Sequence, residues 1–179
     1  MPKKPSVSGV GNTEKVAYFL NEKLCFTVNQ HKRGMSGLLS VDFIVETESE
    51  NIFIEVKNIS SGDETQQKEW SNDLSKPKQN PFLFRMGVKF KDTILKKWAM
   101  NEDYKKEIHY IVILKFDKFG TKQRRKLWER FHSYLPLCLR DNPDFRRKIN
   151  LNRCEIYSVE QWNNDDYYCK FPIKVIDYV

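Results

Sequence analysis

No apolar run in this chain approaches the roughly 18 residues that a membrane-spanning helix needs. The longest clean stretch is only "YIVIL", so no membrane partner is expected. The N-terminal "MPKKPSVSGVGN" has positive charge but no apolar core, which is not the pattern of a secretory signal. Cysteine is scarce: Cys25, Cys138, Cys154 and Cys169 are scattered, with no C-x-x-C pair. That argues against zinc and for a reduced, cytoplasmic setting. No G-x-x-x-x-G-K-[ST] loop occurs, so no nucleotide cofactor is indicated. There is no G-x-S-x-G and no credible Ser/His/Asp set for nucleophilic hydrolysis.

What is present describes a folded domain. Hydrophobic residues make up 40% of 179 and aromatics 13%, enough for a sizeable core and too much for a disordered tail. We read residues 1–179 as one domain. Lys and Arg number 31 against 24 Asp and Glu, a net +7, concentrated in "GTKQRRKLWER" and "FRRK". Such a surface favours polyanions, nucleic acid first among them, although a soluble protein of high pI has the same balance.

The segment "NTEKVAYFLNEKL" has Val16, Phe19, Leu20 and Leu24 at helical spacing, with Asn12 or Thr13 as a cap. "CFTVN" reads as a strand and "HKRGMSGLLS" as a loop. "VDFIVE" and "NIFIEVKN" read as two strands joined by the polar "TESEN". Ser61 with Glu64 three residues on predicts a helix start, and the prolines of "SKPKQNP" its end. "FLFRMGVKF" is ambiguous between strand and helix, and "DTILKKWAM" reads as helix. "EIHYIVILKF" is a buried strand and "TKQRRKLWERFHSYL" an amphipathic helix with Leu127, Trp128, Phe131 and Leu135 inward. "CEIYSV" is a strand, "EQWNN" a helical turn and "FPIKVIDY" extended. This order predicts an α/β fold with one mixed central β-sheet flanked by helices.

The hairpin carries the chemistry. Side chains alternate along a strand, so Asp42, Ile44 and Glu46 share one face, and Phe53, Glu55 and Lys57 share one face. Asp42 and Glu55 lie at corresponding distances from the turn. Neighbouring strands are about 4.8 Å apart, so both carboxylates can reach one cation. Mg²⁺ suits such a site: it takes oxygen ligands, keeps several waters, and needs only one or two carboxylates. The Val56 carbonyl is a further donor, and Mn²⁺ can substitute. Lys57 lies about 7 Å along the same face. Its ammonium can orient a metal-bound water and help its deprotonation, or offset charge on phosphate. The bland alternative is a solvated E-x-K stripe. Burying those charges under a covered sheet is costly unless they are used or paired, which favours the metal.

Glu55 follows Asp42 by 13 residues and Lys57 follows Glu55 by 2. With the helix–strand–strand–strand–helix–strand order, this resembles the PD-(D/E)xK nuclease superfamily. The spacing is most similar to archaeal Holliday junction resolvases, which place a glutamate on an upstream helix and a polar Ser/Gly loop, here "MSGLLS", before the aspartate. Type II restriction endonucleases share the core. Val41 stands where the motif often has proline. The resemblance spans a catalytic core at about residues 12–117, while about 118–179 would be an elaboration for DNA binding or dimerisation. It implies a restriction endonuclease-like core and a Mg²⁺-dependent endodeoxyribonuclease. The products would carry 5′-phosphate and 3′-hydroxyl ends. Double-stranded or branched DNA would be the substrate, and cutting both strands with one site per chain suggests a homodimer. A type II restriction-like or other defence nuclease leads. A Holliday junction resolvase is the alternative, and an inactive nuclease fold that only binds nucleic acid is the non-enzymatic one.

The resemblance offers Glu14 as the upstream acid, with Glu22 as competitor; its bland role is a first-turn acid facing the helix dipole. Gln66 or Gln67 is placed to orient water or phosphate. His31, Lys32 and Arg33, in the loop before Asp42, and Lys122, Arg124, Arg125 and Lys126 on the basic helix are candidate phosphate contacts. His109 is expected to be a satisfied core or edge residue rather than a ligand.

Overall fold

The computed structural model describes residues 17–18, 37–58, 81–100, 106–115, 121–144, 146, 148–173 and 175–176. Strands β2 (Phe43–Glu46) and β3 (Glu50–Asn58) form the expected antiparallel hairpin. Helix α1 (Pro81–Ala99) leads to β4 (Glu107–Lys115), parallel to β3. Helices α2 (Thr121–His132) and α3 (Cys138–Asp141) precede β5 (Leu151–Tyr157), parallel to β4. The sheet order is therefore β2-β3-β4-β5, a four-stranded mixed sheet in an α/β fold. No helix among the described residues is long and apolar enough to cross a membrane.

Strand β4 is the spine. Ile108, Tyr110, Val112 and Leu114 face one side and join Ile44, Phe53, Leu83, Met86, Phe90, Ile94, Leu127 and Phe131 in one core. Ile111 and Ile113 face the other, with Val45, Ile52, Ile54, Trp162, Tyr168 and Phe171. Helices α1 and α2 thus cover one face. The second is covered by α4 (Val159–Asn164), a 3₁₀ turn (Tyr168–Lys170) and the chain after it. A capping box starts α4: the Ser158 hydroxyl accepts from Gln161 N–H, and the Gln161 side chain accepts from Ser158 N–H. Trp162 stacks on Tyr168, ring centroids 4.4 Å apart.

The ambiguous "FLFRMGVKF" is helical. Leu83, Met86, Phe90 and Ile94 recur at three and four residues and are all buried, and Pro81 occupies the first helical position. Gly87 is tolerated inside α1 because the helix passes very close to the turn after α2. A Cβ there would stand 2.5 Å from the Tyr134 carbonyl oxygen. Trp128 is a correction of degree: it is 37% exposed at the core's edge, its indole N–H donating to the Cys154 carbonyl at 2.8 Å, while Phe131 is fully buried.

At Ala17 and Tyr18 the helical expectation fails. They form a short strand, β1, paired antiparallel with β6 (Val175–Ile176). Local periodicity cannot register a backbone partner at the far end of the chain, and that pairing overrides it. The remainder of that predicted helix, the strand at "CFTVN" and the helix from Ser61 lie outside the described residues.

Candidate active site

The hairpin register places Phe43 opposite Ile54 and Ile44 opposite Phe53. One step further brings Asp42 beside Glu55, on the face that α1 covers. Asp42 is held there by its Oδ2, which accepts the Val56 N–H at 2.9 Å. The Glu55 side chain is 0% exposed. The loop that delivers Asp42 is clipped to α1: Asp92 Oδ2 accepts the Leu39 N–H at 2.8 Å, and Thr93 Oγ1 accepts the Val41 N–H at 3.1 Å. Gly37, within the "MSGLLS" loop, takes φ +96°, a conformation that favours glycine.

Two ammonium groups meet the carboxylates. Lys57 Nζ lies 2.6 Å from Glu55 Oε1. Lys89 reaches down from α1, 2.6 Å from the same oxygen and 3.1 Å from Asp42 Oδ1. Lys89 therefore bridges the two acids from the position a shared cation would take. The second Glu55 oxygen, Oε2, is buried with no hydrogen-bond partner among the described residues. One oxygen of this carboxylate thus meets no donor among the described residues, which is costly in a dry site unless a ligand meets it.

Electrostatics follow from this packing. Burial raises the Glu55 carboxyl pKa above its ordinary value and the Asp42 charge adds to the effect, while Lys57 and Lys89 oppose it. For Lys89, burial pushes down, but Glu55 and Asp42 together outweigh it, so its pKa is raised and the ammonium stays charged. Burial likewise pushes the Tyr110 phenol well up; its hydroxyl donates to the Met86 carbonyl at 2.9 Å beneath α1. The donor set fits a hard divalent ion: two carboxylates converging on one cation, one of them with a spare oxygen.

Of the expected site residues, the structure brings together Asp42, Glu55, Val56 and Lys57. Lys122, Arg125 and Lys126 are exposed on α2, which follows the C-terminal end of β4 and so begins at the same end of the sheet as Glu55 and Lys57. Arg124 is half-buried and bonded to the Gln161 side chain, and Arg125 pairs with Glu129 at 3.1 Å, so these two already have protein partners. Glu14, Glu22, His31, Lys32, Arg33, Gln66 and Gln67 lie outside the described residues.

Lys89 is the residue that sequence reasoning missed. A signal existed: Lys89, Thr93 and Lys97 recur every four residues along the flank of the α1 apolar stripe. Lys97, itself buried, pairs with Glu46 Oε1 at 2.6 Å. Lysines at helical spacing that interrupt an apolar face require acids opposite them.

No family model, no curated protein and no solved structure matches this chain.

Proposed function

We propose that this protein is a Mg²⁺-dependent endonuclease acting on DNA phosphodiester bonds, with a restriction endonuclease-like core. The single observation that supports the reading most is the Asp42–Glu55 pair, two carboxylates focused on one cation position beside a second lysine. Asp42, Glu55 and the Val56 carbonyl would hold the ion, with Glu14 as a further acid, and Mn²⁺ can replace Mg²⁺. The ion would supply Lewis-acid activation of phosphate and water. Lys57, at the more open rim of the site, would orient the attacking water, and its ammonium would offset phosphate charge. The exposed Lys122, Arg125 and Lys126 would follow the DNA backbone. A homodimer would bring two sites to two strands.

One observation favours a second reading. Lys57 and Lys89 balance the charges of Asp42 and Glu55 without any metal, as expected of a nuclease fold that binds nucleic acid and no longer cuts it. Incubation with supercoiled plasmid and with branched DNA, each with Mg²⁺ or EDTA, separates the cases. Discrete plasmid fragments indicate a restriction-type or defence nuclease, and cleavage of branched DNA alone a junction resolvase. Tight, steeply salt-dependent binding without metal-dependent cleavage rejects the enzyme in favour of the second reading.

A further inference from the structure

The opposite end of the sheet, on its other face, carries a second set of donors. Glu50 opens β3 and Glu107 opens β4, directly opposite each other in the parallel register. His109 lies two residues along β4, hence on the same face. One donor atom from each lies within 4.8 Å of the others. Two acids at a sheet end are ordinary. His109 is not: it is only 3% exposed, and its Nε2 is buried with no hydrogen-bond partner among the described residues. Nε2 stands 3.9 Å from Glu107 Oε2, too far for a hydrogen bond and close enough to share an ion.

The surroundings prepare this nitrogen. Nδ1 lies 3.0 Å from the Tyr168 hydroxyl, which fixes the ring from behind. The rings of Tyr167 and Tyr168 pack edge-on against it at 5.4 and 5.9 Å. Burial lowers the imidazole pKa, and Arg153 and Lys170 lower it further against the opposing pull of Glu50 and Glu107. Glu107 Oε2 accepts from the Asn152 amide at 2.8 Å, which orients that carboxylate. The two acids offset the charges of Arg153 and Lys170 at the site.

We propose that Glu50, Glu107 and His109 bind a divalent transition-metal ion of the zinc class. An imidazole with two carboxylates selects such an ion over Mg²⁺, which prefers oxygen alone. The scarcity of cysteine weighs only against thiolate sites; this donor set needs none. Tetrahedral donors at about 2.1 Å stand about 3.4 Å apart, so the glutamates would close slightly on the ion. Both are partly exposed and have room to do so. Three protein donors leave a fourth position for water. Bound metal would tie β3 and β4 to the C-terminal turn through His109 and Tyr168. This site is independent of the Asp42–Glu55 pair.

The test is titration of the EDTA-treated protein with Co²⁺ and with Zn²⁺, following visible Co²⁺ absorption and binding heat. With excess Mg²⁺ present to fill the oxygen-only Asp42–Glu55 site, one equivalent is expected to bind with the spectrum of a nitrogen- and oxygen-ligated ion and to raise the melting temperature. A Glu50→Gln/Glu107→Gln variant, altered only at partly exposed positions, is expected to bind at least about tenfold more weakly. Absence of binding with this spectrum, or binding unaffected by the double substitution in a variant that still unfolds cooperatively, would overturn the proposal.

Discussion

Lys89 Nζ stands 2.6 Å from Glu55 Oε1 and 3.1 Å from Asp42 Oδ1, so a helix-borne ammonium holds the space between one carboxylate on β3 and another just before β2. A divalent ion entering that space must displace it. Lys89→Met is therefore expected to tighten Mg²⁺ binding by about tenfold or more, since one competing cation is gone. The same substitution should destabilise the metal-free protein by about 2–4 kcal/mol, because the acids lose a buried partner. Isothermal titration and denaturant melts in EDTA measure the two effects, and unchanged Mg²⁺ affinity would refute the competition.

In the proposed nuclease Lys57 plays a different part. Its side chain is 30% exposed, and Lys89 still covers Glu55 when it is removed. Lys57→Ala is expected to cost less than about 1 kcal/mol of stability and to reduce metal-dependent DNA cleavage about 10²–10⁴-fold. A variant that cuts as well as wild type would remove Lys57 from the mechanism.

The close approach at Gly87 gives a test of packing alone. Gly87→Ala would press a methyl group against the Tyr134 carbonyl, so α1 or the turn must shift. The expected cost is about 1–3 kcal/mol, despite the better helix propensity of alanine. A stabilised variant in thermal or urea unfolding would show that the turn yields freely.

Tyr157 yields a pH dependence. Its hydroxyl donates to Asp165 Oδ2 at 2.9 Å, and burial first, then that acid, pushes its pKa from 10.0 up to about 12. A raised phenol pKa means the folded state holds the proton more tightly. The associated stability is present below pH 10 and is lost as pH rises from 10 to about 12. Tyr157→Phe should cost about 1 kcal/mol at pH 7 and flatten the stability curve across that window, as denaturant titrations at stepped pH would show.

Much of the hairpin was legible in the sequence because its signals are local. Alternation along "IFIEVK" and the short turn were enough to place Asp42, Glu55 and Lys57 on one face, and the register with Ile44 opposite Phe53 agrees. Lys89 was missed although its four-residue spacing with Thr93 and Lys97 was visible, because its partners are 34 and 47 residues away and the segment's period was itself ambiguous. The sequence made His109 a satisfied core or edge residue. It is buried, but its Nε2 has no hydrogen-bond partner among the described residues, and no strand pattern reports whether a ring nitrogen finds one. The strand at Ala17–Tyr18 was missed for the related reason that its partner is a distant backbone segment.

The β2–β3 hairpin has consequences for the order in which the chain folds. Hairpins close within about 1–10 μs, while a parallel pairing such as β3 with β4 must wait for its long crossover. Asp42 and Glu55 are brought together by the fast event, and Lys89 arrives only with the crossover helix. For that interval two like charges face each other, with Lys57 alone to offset them. Arrival of α1 then relieves a repulsion as well as covering apolar surface. Added salt, which screens both effects, is expected to favour the hairpin stage and slow the docking of the helix in stopped-flow refolding, and Lys89→Met should weaken the salt dependence of that second step, leaving the part due to Lys97 and Glu46.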